Sequence, residues 1–343
     1  MRTPLPPPPA AEPAAPVLLI VFNRPQSARQ VLAAIRQARP TRLYVAADGP
    51  RPNRPAEAAL CAETRAAVTS AIDWPCQVRT LFRDENLGCG LGPASAITWF
   101  FAHEAEGIIL EDDCVPAPGF FRFCQELLAR YRHDTRVMHI GGNNLSHEAQ
   151  QPVAAGADSY HFSGQVNSWG WATWRRAWQH FNFEYQLLPE LRQRGLLRGM
   201  YPGWLERAYW LPKFEAVRTG PQPAHIWDYQ WHFTVAAHSG LTIVPAVNLV
   251  TNIGFGTDAT HTLHADDRLA GLATGELAFP LRHPPTVLRD WPRDQRYFRE
   301  HLTQRLLAKA QRLLRRLRPA AAPAAPPTPA ASPNFPLPQP LPS

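Results

Sequence analysis

Three carboxylates stand together in I-I-L-E-D-D-C-V (108–115): Glu111, Asp112 and Asp113, directly after an apolar run. Like charges this close repel, and a cation is the usual means of offsetting them. Mg2+ and Mn2+ prefer such oxygen ligands and keep positions open for phosphate oxygens and water. A turn after Leu110 divides the work, because alternate side chains of a strand face opposite ways. It presents Asp113 to a metal and Asp112 to a ligand hydroxyl, and leaves Glu111 a more structural part. An isolated E-D-D is most simply a solvated acidic turn. Here the buried-looking strand before it, and Cys114-Val115-Pro116 closing the turn after it, argue for a site.

Other polar groups share the pattern of following an apolar run. Asn23-Arg24 follows V-L-L-I-V-F (17–22), and Asp48-Gly49 follows R-L-Y-V-A-A (42–47). The loop R-D-E-N-L-G-C-G (83–90) supplies Arg83, Asn86 and Gly88; its glycines permit close approach to a ligand. The helix expected from Pro93 would add free N–H groups for an anion. The loop is neither G-x-G-x-x-G nor a Walker loop, which lowers the case for dinucleotide binding or ATP hydrolysis.

Later in the chain, H-I-W-D-Y-Q-W-H-F (225–233) places Asp228 among Trp227, Tyr229 and Trp231, a carboxylate in an aromatic, water-poor setting suited to a general base. An N-cap or buried structural carboxylate is the simpler alternative. The glycine-containing stretch N-I-G-F-G-T-D-A-T-H-T (252–262) carries Asp258 and His261, spaced to converge on one point with His264 close behind, and is a candidate source of a further metal ligand; a surface histidine in a polar loop is the simpler alternative. The turn Ser168-Trp169-Gly170 is expected to meet a ligand. Trp171, Trp174 and Trp178 are spaced as one helical face and read as core. Arg175, Arg176 and Asn143 are further candidates for the pocket.

These groups need elements to hold them. Strands are expected at 17–22, 42–47, 77–82, 107–110 and 137–140, with helices near 27–37, 56–70, 93–105 and 119–131 between them. Continuous apolar strands alternating with helices predict an open, mostly parallel α/β sheet. Ligands of such sheets sit beyond the carboxyl ends of the strands, where the polar groups fall. Eight of the eleven tryptophans lie between 169 and 231, marking a Trp-rich second subregion. The expected organisation is a Pro/Ala-rich disordered segment at 1–16, an α/β region at 17–145 and a second region of the same domain at 146–300. A basic amphipathic helix at 301–318 and a Pro/Ala-rich tail at 319–343 complete it.

The five cysteines show no C-x-x-C spacing, which predicts free thiols in a reducing compartment. No apolar run is long enough to span a bilayer, and no apolar segment precedes the first strand, so neither a membrane span nor a secretory leader is expected. Net charge is +7, and 302–318 holds six basic residues without an acidic one, leaving the body near neutral. That distribution disfavours a nucleic-acid partner. Leucines at 302, 306, 313 and 317 beside those basic residues predict an amphipathic helix suited to peripheral contact with anionic lipid, a terminal helix packed on the body being the simpler alternative.

Taken in order, V-F-N-R-P (21–25), A-A-D-G-P-R (46–51), R-D-E-N-L-G-C-G (83–90) and L-E-D-D-C (110–114) resemble the GT-A-fold glycosyltransferases, in the N-acetylglucosaminyltransferase I-like, bacterial-type branch. The resemblance covers about 17–145, and more loosely the chain to about 265. It implies an enzyme using a nucleotide-diphosphate sugar donor and Mn2+ or Mg2+, with a glycan or lipid-linked acceptor, as in polysaccharide or lipopolysaccharide biosynthesis. It implies Asp48 at the nucleoside base, E-D-D at the metal and diphosphate with Asp113 as direct ligand, a C-terminal histidine, here His261, on the metal, and Asp228 as base of an inverting transfer. The usual D-x-D is absent, since position 111 is Glu. It further implies a cytoplasmic location, peripheral on the inner face of the membrane. The alternatives are a sugar-phosphate nucleotidyltransferase, disfavoured by F-N-R-P-Q-S where a Gly-rich basic loop is wanted, and an inactive carbohydrate-binding protein on the same fold.

Overall fold

The computed structural model describes residues 14–151, 153–221, 224–255 and 271–317. The first half alternates as predicted: β1 (Val17–Val21), α1 (Pro25–Ala38), β2 (Arg42–Ala47), α2 (Glu57–Thr69), β3 (Gln77–Phe82), α3 (Gly88–His103) and β4 (Glu106–Glu111). After the short β5 (Cys114–Pro116) come α4 (Pro118–Tyr131) and β6 (Val137–Gly141). The second half contributes β7 (Tyr160–Ser163), β8 (Trp171–Trp174), α5 (Arg175–Trp178), α6 (Leu187–Gln193), α7 (Leu197–Met200), α8 (Trp204–Thr219), α9 (Asp228–Ala237), β9 (Leu241–Pro245), β10 (Val250–Asn252) and α10 (Trp291–Leu317).

Eight strands form one sheet in the order β3-β2-β1-β4-β8-β6-β9-β7. β3, β2, β1 and β4 are mutually parallel. β8 runs antiparallel between β4 and β6, β9 is parallel to β6, and β7 closes the edge antiparallel to β9. The sheet is therefore Rossmann-like and mostly parallel, with β7 and β8 reversed. Strands from both halves of the chain share it. β10 pairs with β5 as a separate two-stranded ribbon beside the end of β4.

Alternation along β1 explains its unbroken apolar sequence. Val17, Leu19 and Val21 enter the core under α1 and α4, while Leu18 enters the core under α3, and all four are buried. Burying each such side chain contributes about 1.5–3 kcal/mol before chain entropy is counted. The same rule corrects the expected helical tryptophan face. Trp171 and Trp174 lie on strand β8, where an i, i+3 pair points to opposite faces: Trp171 joins the α3-side core and Trp174 the α4-side core. Trp178 follows at the end of α5 and packs with Trp171.

The described chain divides into two compact units between Phe298 and Arg299. The first holds the sheet. In the second, Leu306 and Leu307 are exposed. Among the described residues no helix is long and apolar enough to cross a membrane.

Candidate active site at the switch point of the sheet

The strand order reverses between β1 and β4, which lie side by side in register, Leu19 against Leu110 and Ile20 against Glu111. A crevice opens beyond the carboxyl ends of such a strand pair, where ligands of open α/β sheets bind. The residues following β1 and β4 meet there. Phe22 donates its backbone N–H to Asp112 Oδ2 at 3.1 Å. Arg24 donates to Asp113 Oδ2 at 2.9 Å and to Asp112 Oδ1 at 3.4 Å. Asp112 thus ties the two strand ends together, and Arg24 supplies a cation for the acidic corner. Asp112 is 9% and Asp113 19% exposed at the side chain, so of these two Asp113 faces the opening more.

Electrostatics follow from that crowding. Burial, then the charges of Asp113, Asp112 and Asp228, push the Glu111 carboxyl well above its ordinary range, and Arg24 only partly offsets them. Asp112 is pushed up by burial and by Asp113. Burial works against the Arg24 guanidinium, but Asp112 and Asp113 more than compensate and raise its pKa.

A cleft of about 750 Å3 runs along this edge, lined among others by Phe22, Arg24, Asp48, Arg51, Arg83, Asn86, Gly88, Cys89, Glu111, Asp112, Asp113, Trp169, Asp228 and Gly254. It is large enough for a drug-sized ligand or larger. Asp48, after β2, turns its carboxylate onto the start of α3, accepting from Leu87 N at 3.0 Å and Gly88 N at 2.9 Å. Burial raises its pKa despite those bonds. This capping explains why α3 begins at Gly88 rather than near Pro93. Free N–H groups were expected at a helix start near Pro93; the helix starts earlier, and the Leu87 and Gly88 amides at that start are engaged by Asp48. Gly88 has φ +77°, a left-handed conformation that favours glycine, and Asn86 clamps the turn by donating to Gly49 O at 2.8 Å. Arg83 donates to Ser95 Oγ at 2.9 Å.

Asp228 is the first residue of α9, with Oδ1 accepting from Tyr229 N at 3.0 Å. A helix start favours a negative side chain. The charge of Asp228 reaches both Glu111 and Cys89 across the cleft. The aromatic setting of Asp228 differs from expectation. Trp231 is fully buried and donates to His139 Nδ1 at 3.1 Å; Trp227 is 5% exposed and stacks on Trp171; Tyr229 packs edge-on against Trp210. These rings belong chiefly to the core, and Trp227 alone of the three also lines the cleft. Trp169 lines it as well, edge-on to Phe255 at 5.7 Å.

Several candidates serve elsewhere. Asn23 does not line the cleft. Gly170, at φ +64°, lets its backbone approach Leu110 and Val250 and accepts from Gly142 N, so it is a packing residue outside the cleft. Asn143 is buried away from it. Arg175 bonds the carbonyls of Phe101 and Glu104, and Arg176 those of Tyr131, Arg132, Asp134 and Val137; each ties loops together instead of meeting a diphosphate. Asp258, His261 and His264 lie outside the described residues. Among the described residues no three His, Cys, Asp or Glu side chains are grouped to hold a metal ion.

No family model matches the chain, and no curated protein does. Among solved structures it is similar to HddC from Yersinia pseudotuberculosis, with 12% identity, 51% of this chain and 86% of that one covered and a TM-score of 0.29. It is also similar to the inositol-1-phosphate CTP transferase from T. maritima, with 8% identity, 72% and 91% covered and a TM-score of 0.34. Likenesses this distant carry no functional argument.

Sequence reasoning missed some of the lining. Arg51 is ion-paired to Glu57 and sits over the Phe22 ring at 5.6 Å. It was present in A-A-D-G-P-R, where any basic residue after a strand-end Asp-Gly merits attention. Gly254 gave no such signal. Its importance is spatial: a Cβ there would collide with Asp113 Oδ2, so the chain leaving β10 passes directly against that carboxylate. Ile253 N reinforces the approach by donating to Asp113 O at 2.8 Å.

Proposed function

We propose that the protein is a glycosyltransferase of GT-A type, moving a sugar from a nucleotide-diphosphate donor to a glycan or lipid-linked hydroxyl with inversion. The observation that carries this reading is that the Arg24–Asp112–Asp113 corner, Asp48 and Asp228 line one cleft at the switch point. A donor with a nucleoside, two phosphates and a sugar matches such a sequence of neighbours.

On this reading Arg24 and the acidic corner hold the diphosphate end. The Asp48-capped turn with Asn86 and Gly88, together with Arg51 and Phe22, holds the nucleoside. Asp48 shapes that turn through Leu87 and Gly88 rather than by offering an unengaged carboxylate. Asp228 takes the proton of the acceptor hydroxyl as its oxygen attacks the anomeric carbon. Trp169 and Trp227 narrow the cleft and limit water there.

The acidic corner suits a divalent cation in donor chemistry, and the Arg24 guanidinium shows that positive charge is favoured beside Asp113. Asp113 would hold Mn2+ or Mg2+, with His261 as the candidate partner from outside the described residues. When bound, the ion would offset charge gathering on the leaving nucleoside diphosphate.

The test is acceptor-free hydrolysis of a panel of nucleotide sugars with Mn2+, Mg2+ or EDTA, run beside pyrophosphate release from nucleoside triphosphates and sugar 1-phosphates. Cation-dependent donor turnover is expected. Pyrophosphate release without donor turnover would replace this reading with nucleotidyl transfer. With an acceptor in hand, Asp228→Asn should keep donor affinity within about twofold and lower kcat by roughly 100-fold or more; retained transfer would remove Asp228 from the mechanism.

A further inference from the structure

Arg24 is placed to do more than neutralise. It follows β1 and opens α1, so its backbone is fixed where strand becomes helix, and Arg24 O accepts from Ala28 N at 3.0 Å. Its guanidinium spans Asp112 and Asp113, and that side chain is 22% exposed and lines the cleft. The two carboxylates differ in freedom. Asp112 is held from its other oxygen by Phe22 N. Asp113 contacts the Cys114 thiol, a weak donor, at 3.4 Å from Oδ1, while Oδ2 carries the Arg24 contact. The Gly254 backbone passes close to that same oxygen, which only the lack of a side chain there allows. A divalent cation seeking an oxygen at this corner therefore meets Arg24 on it, and the two positive charges repel at that short range.

Building on the glycosyltransferase reading, we propose that Arg24 is a displaceable counter-ion: it competes with the divalent cation for Asp113 and, once displaced, turns its guanidinium to the donor's diphosphate. The guanidinium stays in the cleft after such a move, because Arg24 itself lines it. A planar fork of N–H donors also matches phosphate oxygens as well as it matches carboxylates. Exchange of one partner for the other keeps the acidic corner compensated throughout and couples cation binding to donor binding.

Competition of this kind gives a crossed signature. Mn2+ binding without nucleotide is read from the electron paramagnetic resonance of the free ion, on the full chain of wild type, Arg24→Gln, Arg24→Lys and Asp113→Asn. Arg24→Gln should bind Mn2+ roughly tenfold more tightly than wild type, while Asp113→Asn loses binding. Nucleoside diphosphate added to the Mn2+-loaded Arg24→Gln protein should bind roughly tenfold more weakly than to wild type. Mn2+ binding that depends on Asp113 but is equal or weaker in Arg24→Gln overturns this inference and leaves the proposed function standing. No Asp113-dependent Mn2+ binding in any of the proteins overturns both. Should Arg24→Gln fail to give a cooperative thermal melt, Arg24→Lys decides: a point charge grips two carboxylates less well than a fork, so its Mn2+ affinity must exceed wild type, and an unchanged value overturns the inference.

Discussion

Buried histidines and strand-end carboxylates set the pH behaviour of individual residues. Burial pushes His139 and His232 down to about 3 and His161 down to about 4. Each is neutral in the folded protein, whereas in the unfolded chain it takes a proton below about pH 6.5. Stability from this source is therefore present above pH 6.5 and lost as pH falls from there toward the folded values. Each fully buried ring contributes about 1.4 kcal/mol per pH unit to that loss. Thermal melts between pH 7 and pH 5 should show a falling Tm. His232→Phe, which keeps a ring against Trp210 and Tyr201, should flatten the slope. An unchanged slope would mean that His232 is not held neutral. The carboxylates show how far residue types alone can be read. Three acids after an apolar run were visible as a candidate site. That Asp112 binds Phe22 N and that Arg24 is the local cation depend on β1 and β4 being neighbours, which no local pattern specifies.

Elements deliver these groups through a few close approaches. Gly90 lets the first turn of α3 touch the backbone at Ala224 and Ile226, just ahead of α9, and so sets the distance between the Asp48 wall and Asp228. Gly254 does the same for the chain after β10 and Asp113. Gly254→Ala should leave the melt largely unchanged, because the residue sits in no helix or strand, yet weaken cation and nucleotide binding by roughly tenfold. Full binding by Gly254→Ala would show that this approach does not govern Asp113. Strand-helix alternation was legible for β1 to β4 and β6, helped in β1 and β4 by continuous apolar runs, whereas the short β5 was read only as the close of a turn. The tryptophan segment was not. A strand buried on both faces carries large rings at any spacing, and Trp171 and Trp174 suit a helix as well as β8. Asp228 was legible as a carboxylate among aromatics, but the rings proved mostly core. Its position at the start of α9 is what points it to the cleft.

At the scale of the first compact unit, one sheet joins both halves of the chain, and its far edge is secured by a buried ionic anchor. Asp294, 2% exposed in the first turns of α10, accepts from Ser163 Oγ, Gly164 N and Arg289 Nε at 2.5, 2.8 and 2.5 Å. Removing one member of such a set strands the others. Asp294→Ala should cost about 3–5 kcal/mol, visible as a lower denaturation midpoint with the two-state transition retained. A loss below about 1 kcal/mol would show the anchor to be dispensable. The sheet order makes the proposed chemistry sensible as a whole, because the reversal between β1 and β4 opens the crevice where the acidic corner lies. The most direct test of that claim is calorimetric titration of nucleoside diphosphates into wild type and Asp113→Asn, each with Mn2+ and with EDTA. The account predicts binding to wild type with Mn2+ that falls by at least roughly 100-fold on chelation or on loss of the Asp113 charge. Equal binding by both proteins under both conditions would contradict it.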